Sequence, residues 1–80
     1  MKARIIISLK PGVLDPQGKA IQTSLQGLGF DTVKSVRQGK CVELNIDEEN
    51  KELALKNLSQ MCEKLLANTV IEDYSIELID

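Results

Sequence analysis

Lys10-Pro11-Gly12-Val13-Leu14-Asp15-Pro16-Gln17-Gly18 joins an alternating apolar stretch to a helical one, and its reading decides the fold. Both prolines of the chain fall inside it. Proline fixes φ and lacks an N–H, and Gly12 has access to backbone angles closed to other residues. Asp15 before Pro16 reads as an N-cap followed by a first helical position, so the helix is expected to start at Pro16. An ordinary strand-to-helix connection needs only a few residues of turn chemistry. This one is longer and stiffer, which fits either a rigid turn or a preformed docking surface.

Outward from that loop, the apolar spacing defines the remaining elements. Ala3, Ile5, Ile7 and Leu9 alternate with Arg4, Ile6 and Ser8, the period of a strand. A first helix is expected from Pro16 to Leu28, with Ile21, Leu25 and Leu28 on one side and Gly29 as its left-handed cap. Two strands are expected at 31–37 and 41–47, on either side of Gln38-Gly39. Val33 and Val36 stand three apart, so a bulge near Lys34 or Ser35 is needed to keep the first of them paired. A second helix is expected over 48–67, burying Ala54, Leu58, Met61, Cys62 and Leu65. A last strand puts Tyr74, Ile76 and Leu78 on one face. The order β-α-β-β-α-β predicts an α+β fold, a two-layer sandwich of a four-stranded antiparallel sheet with two helices on one face. The other face is left bare, with Ile6, Cys41 and Ile79 as its apolar members.

Eighty residues read as a single domain over 1–80. A domain of this size buries only about 60% of its unfolded surface, and its core rarely supplies more than ~3–5 kcal/mol without staples or association. Homo-oligomerisation through the bare sheet face is the physical expectation. The Met1-Lys2-Ala3-Arg4 start runs directly into a strand instead of a signal-peptide core, and no apolar run approaches the ~20 residues of a membrane span. A cytoplasmic chain with reduced, buried Cys41 and Cys62 is therefore expected.

Chemistry is bounded just as tightly. The chain has no histidine, so no Ser-His-Asp or Cys-His arrangement is available within it. The two cysteines match neither a redox pair nor a zinc module. Asp47-Glu48-Glu49 reads as charge at a helix start rather than a calcium loop. No Walker A or dinucleotide fingerprint occurs. Neither catalytic, cofactor-binding nor metal-binding residues are expected on this chain. A net charge of −2 and only two aromatics, Phe30 and Tyr74, argue against a nucleic-acid surface. Arg37 and Lys40 around Gly39 make either a solvated basic hairpin or a contact for a carboxylate or phosphate.

Lys10-Pro11-Gly12-Val13-x-Asp15-Pro16-x-Gly18 resembles the hallmark of the PurS family, the small subunit of multi-subunit phosphoribosylformylglycinamidine synthase. Further segments fit in order: Leu28-Gly29-Phe30, Val33, Val36-Arg37-Gln38-Gly39-Lys40, Glu43-Leu44 and Asn68-Thr69-Val70-Ile71-Glu72-Asp73-Tyr74. Cys41 stands where many members carry an aromatic, and Thr69 where many carry proline. The resemblance implies a non-catalytic accessory subunit in purine biosynthesis, pairing as a homodimer or tetramer. It further implies that the chain bridges a glutaminase and a large ATP-dependent synthetase, and assists ammonia transfer from one to the other. That complex would use ATP and Mg to turn formylglycinamide ribonucleotide into formylglycinamidine ribonucleotide. Lys10, Pro11, Gly12, Asp15, Pro16, Arg37, Gly39 and Lys40 are then the candidates for contact with partners. The same element order also fits an ACT-like or ferredoxin-like module that binds a small ligand. The doubled proline motif favours the synthase subunit.

Overall fold

The computed structural model describes residues 1–79 and orders the elements as β1 (Lys2–Leu9), α1 (Pro16–Gly27), β2 (Gly39–Asn45), α2 (Lys51–Met61) and β3 (Glu72–Leu78). The three strands form one antiparallel sheet in the order β2-β1-β3. β1 is central because its inward residues are the most apolar: Ala3, Ile5 and Ile7 are at most 1% exposed. Leu58 and Cys62 cover them, with Ala67 closing the end and Val42, Leu44, Tyr74, Ile76 and Leu78 packed around. Burying a Leu or Ile side chain of this kind contributes about 1.5–3 kcal/mol.

Only three strands are present among the described residues, not four, and only α2 lies on the sheet. The expected strand at 31–37 is an extended strap with no ladder partner. Its carbonyls are engaged from α1 instead. The Gln22 side-chain amide donates to the Lys34 carbonyl at 3.2 Å, and that of Gln26 to the Val33 carbonyl at 3.0 Å. The irregular Val33/Val36 spacing marks this behaviour, since both valines are half-buried along a helix and not alternating in a sheet. Nor does α1 cover the sheet. It packs broadly on no other helix or strand among the described residues, and of its residues only Gly18 is buried.

Residues 10–38 thus form an arm. β1 and β2 are antiparallel neighbours with Ser8 opposite Gly39, so the arm occupies the place of a hairpin loop. The Cα positions extend over 48 × 27 × 14 Å with a radius of gyration of 15.9 Å. A compact chain of this length has about 12 Å.

Local chemistry explains the helix ends. Asn50 caps α2 through a bond from the Leu53 N–H at 3.1 Å, so α2 begins at Lys51 and not at Glu48. At the end of α1, the Phe30 N–H reaches the Leu25 carbonyl and the Gly29 N–H the Gln26 carbonyl. This is the double bond of a Schellman cap, with Gly29 at φ +100°. α2 runs on into a π-helical turn over Cys62–Leu66, closed by the Ala67 N–H on the Cys62 carbonyl at 3.0 Å. The extra residue in that turn moves Leu65 out of the expected buried stripe to 83% exposure, while Leu66 packs against the core.

The outer sheet face is largely polar. Arg4 sits between Glu43 at 3.1 Å and Glu77 at 3.9 Å, with Glu43 raising its pKa first by a hydrogen bond. Exposed pairs like these add little to stability, because solvent screens them. Ile6 faces Cys41 and Ser75 across the ladder. Cys41 is exposed rather than buried, whereas Cys62 is buried, and burial pushes its thiol pKa up.

Candidate functional site

The root of the arm, where it leaves and rejoins the sheet, gathers the charged and motif residues. Asp15 caps α1 as its neighbour Pro16 at the first helical position requires: Oδ1 accepts the Gly18 N–H at 2.8 Å. Its other oxygen, Oδ2, accepts the N–H of Gln38 at 2.7 Å, at the far end of the arm. Asp15 is only 7% exposed. The bonds from Gln38 and then Gly18 hold its carboxyl below the usual range, against the opposing cost of burial.

Arg37 closes the same root from the other side. Its Nη1 donates to the Val13 carbonyl at 2.9 Å, and Nη2 to those of Lys10 at 2.9 Å and Leu9 at 3.4 Å. The fork of guanidinium donors is thereby matched to backbone carbonyls of the Lys10–Val13 turn, in which the Val13 N–H bonds the Lys10 carbonyl. The Lys10 N–H in turn donates to the Ile71 carbonyl at 2.8 Å, fixing the loop to the entry of β3. Pro11 and Gly12 are exposed at the tip of this turn. Gly12 does not use the left-handed region: Gly29 alone has positive φ among the described residues.

Close approach, not backbone freedom, is what glycine supplies here. A Cβ on Gly18 would collide with the Val36 carbonyl oxygen and lie 2.8 Å from Asp15 Oδ2, and one on Gly39 would lie 2.6 Å from the Ile7 carbonyl oxygen. Lys40 extends beside Gly39 to Glu72 at 3.4 Å. Glu72 also accepts the Asn68 N–H at 2.7 Å, which with Lys40 keeps its carboxyl below the usual range.

Of the eight sequence candidates, the root brings together Lys10, Asp15, Pro16, Arg37, Gly39 and Lys40, with Pro11 and Gly12 at its rim. Asp15, Gln38, Gly39, Lys40 and Glu72, with Ile7 and Leu9, line a recess of about 290 Å³. Gln38 and Glu72 lie in the family-like segments at 36–40 and 68–74 but were not among the candidates. One contributes a backbone N–H and the other is brought in by strand pairing across β1. Among the described residues no group of His, Cys, Asp and Glu is placed to hold a metal ion, and no helix is long and apolar enough to cross a membrane. The arrangement binds the arm to the sheet. It presents no nucleophile with a base beside it.

Comparison with known proteins gives this architecture a family. Residues 2–80 match the model of the PurS family, described as phosphoribosylformylglycinamidine (FGAM) synthase. A phosphoribosylformylglycinamidine synthase subunit PurS from Synechocystis is 49% identical over 75 residues, covering 94% of this chain and 75% of the relative. The crystal structure of Methanocaldococcus jannaschii PurS, one of the subunits of formylglycinamide ribonucleotide amidotransferase, is 48% identical with a TM-score of 0.87, over 99% of this chain and 98% of that one. A chain in the structure of PurLQS from Thermotoga maritima is 35% identical with a TM-score of 0.89, over 98% and 95%. The fold, the root motif and the full-length match agree: this chain belongs to the PurS family of phosphoribosylformylglycinamidine synthase subunits.

Proposed function

We propose that the chain is the small, non-catalytic subunit of a cytoplasmic phosphoribosylformylglycinamidine synthase. In this reading it holds a glutaminase and an ATP-dependent synthetase together, so that ammonia released by one is used by the other to convert formylglycinamide ribonucleotide to formylglycinamidine ribonucleotide. The observation that carries it is the full-length likeness to a chain in PurLQS. The build of the arm root supports it further, because its polar groups are joined to one another and not set out as an acid, a base and a nucleophile. Coupling two active sites has a chemical rationale. Ammonia is protonated in neutral water and loses its nucleophilic lone pair, and a site closed from solvent prevents that loss. ATP and Mg belong, in this reading, to the synthetase. The chain acts as a homodimer or tetramer within the assembly, as the small core of a single copy favours.

The test is reconstitution with the two larger subunits. Ammonia-dependent synthesis should proceed with the synthetase alone, whereas glutamine-dependent synthesis should require this chain. Equal glutamine-dependent rates with and without it would overturn the reading.

A further inference from the structure

Within one copy the direction of the arm is set at its root, because α1 packs broadly on no other helix or strand among the described residues. Three sets of bonds act there. Asp15 joins the two ends of the arm through the N–H groups of Gly18 and Gln38. Arg37, on the returning chain, reaches the carbonyls of Leu9, Lys10 and Val13 on the departing one. The Lys10 N–H holds that turn to the Ile71 carbonyl.

Asp15 and Arg37 are spent in making these bonds. Both oxygens of Asp15 accept a backbone N–H, and the residue is almost wholly buried. Both terminal nitrogens of Arg37 donate to backbone carbonyls, so its fork is directed into its own chain. Hydrogen bonds of ionised groups are about twice as strong as those between neutral ones, which makes the root the stiff point of an otherwise loosely held arm. Leverage does the rest. α1 has 12 residues. At about 1.5 Å per residue a tilt of roughly 10° at the root carries its far end about 3 Å, as far as a hydrogen bond is long.

We propose that Asp15 and Arg37 are positioning residues for glutamine-dependent synthesis: they touch no partner, and by clamping the two ends of the arm they set the direction in which α1 meets the rest of the assembly. The proposal rests on the accessory-subunit reading above and names the device in this chain on which that role depends. A direction fixed before assembly spares the ordering cost that a swinging arm would pay on docking.

The test pairs a distance with a rate. Spin labels are placed on Cys41, which is exposed on the sheet, and on Thr23→Cys, an exposed position of α1, while buried Cys62 is left unlabelled. Labelled chain is diluted into unlabelled chain, so that only distances within a copy are recorded. The parent should give one narrow distribution, and Asp15→Ala and Arg37→Ala should each broaden it or shift it by several Å. In the complex reconstituted with both larger subunits and saturated with the variant chain, glutamine-dependent synthesis should fall by about tenfold or more. Glutamate released per product formed should rise above the parent's ratio. Far-UV circular dichroism confirms that each variant is folded; Asp15→Asn, or Arg37→Lys, which keeps the charge but not the fork, takes its place if structure is lost. Unchanged distances, changed distances with unchanged synthesis, or synthesis recovered by adding more variant chain would each overturn the positioning role. A parent chain that gives no glutamine-dependent stimulation would instead remove the accessory-subunit reading.

Discussion

Asp15 ties the two ends of the arm with one carboxylate, each oxygen accepting a backbone N–H. Its folded pKa lies below the ordinary 3.8. The stabilisation it gives is therefore complete above that value and disappears as pH falls through the folded pKa. Asp15→Asn keeps one acceptor but sets an NH₂ against the other donor. The melting temperature of the variant should be lower at neutral pH, and should fall less steeply than the parent's between about pH 5 and pH 2. Thermal unfolding across that range reads both effects. The motif glycines should respond in opposite ways. Gly12 has open space around its Cβ position and ordinary φ, so Gly12→Ala should leave stability unchanged or raise it by up to about 1 kcal/mol. Gly18→Ala drives a methyl group into the Val36 carbonyl and the Asp15 carboxylate, and should cost about 1–3 kcal/mol in urea unfolding.

The strap and β1 contrast in how their backbones are held. β1 is hydrogen-bonded on both sides along its length, whereas the strap's carbonyls are met mainly by the Gln22 and Gln26 side chains. Amide hydrogen exchange should therefore show Ile5–Ile7 protected up to global unfolding and Lys34–Arg37 exchanging through local opening. Within the core, Leu58→Ala should cost about 2–5 kcal/mol, because Leu58 is fully buried between α2 and β1. How far these elements were legible follows from the range of the interactions that fix them. β1, β3 and the N-cap of α1 rest on alternation and on residues three apart, and the sequence displays both. The strap was misread because glutamine amides seven and twelve residues away, not a neighbouring strand, take up its carbonyls. The π-helical turn depends on a single extra residue that changes no periodicity, so Leu65 and Leu66 exchanged roles. At the root, Asp15 was readable as a cap, but its bond to Gln38 spans 23 positions. Arg37 looked like a surface cation, yet its donors reach carbonyls 24 to 28 residues earlier.

The arm is an insertion across what is otherwise a β1–β2 hairpin, and the sheet, α2 and the π-helical turn with Ala67 after it contain the whole buried apolar cluster. Joining Leu9 to Gln38 through Asn-Gly, a pair suited to a tight hairpin turn, should leave a shorter protein that unfolds cooperatively with its strands intact. The same protein should fail to support glutamine-dependent synthesis in the reconstituted complex. Loss of the cooperative transition on removing the arm would show that the arm is part of the core after all. A different consequence follows from the 14 Å over which the Cα positions extend along the shortest axis. Two backbone layers stand about 10 Å apart when their side chains merely interdigitate, so the plate has depth for one packed interior and none for a bore. A small neutral molecule handed past a plate of this depth would have to follow a seam walled on one side by this chain and on the other by a neighbour, and such a seam would come into being and vanish with the assembly itself.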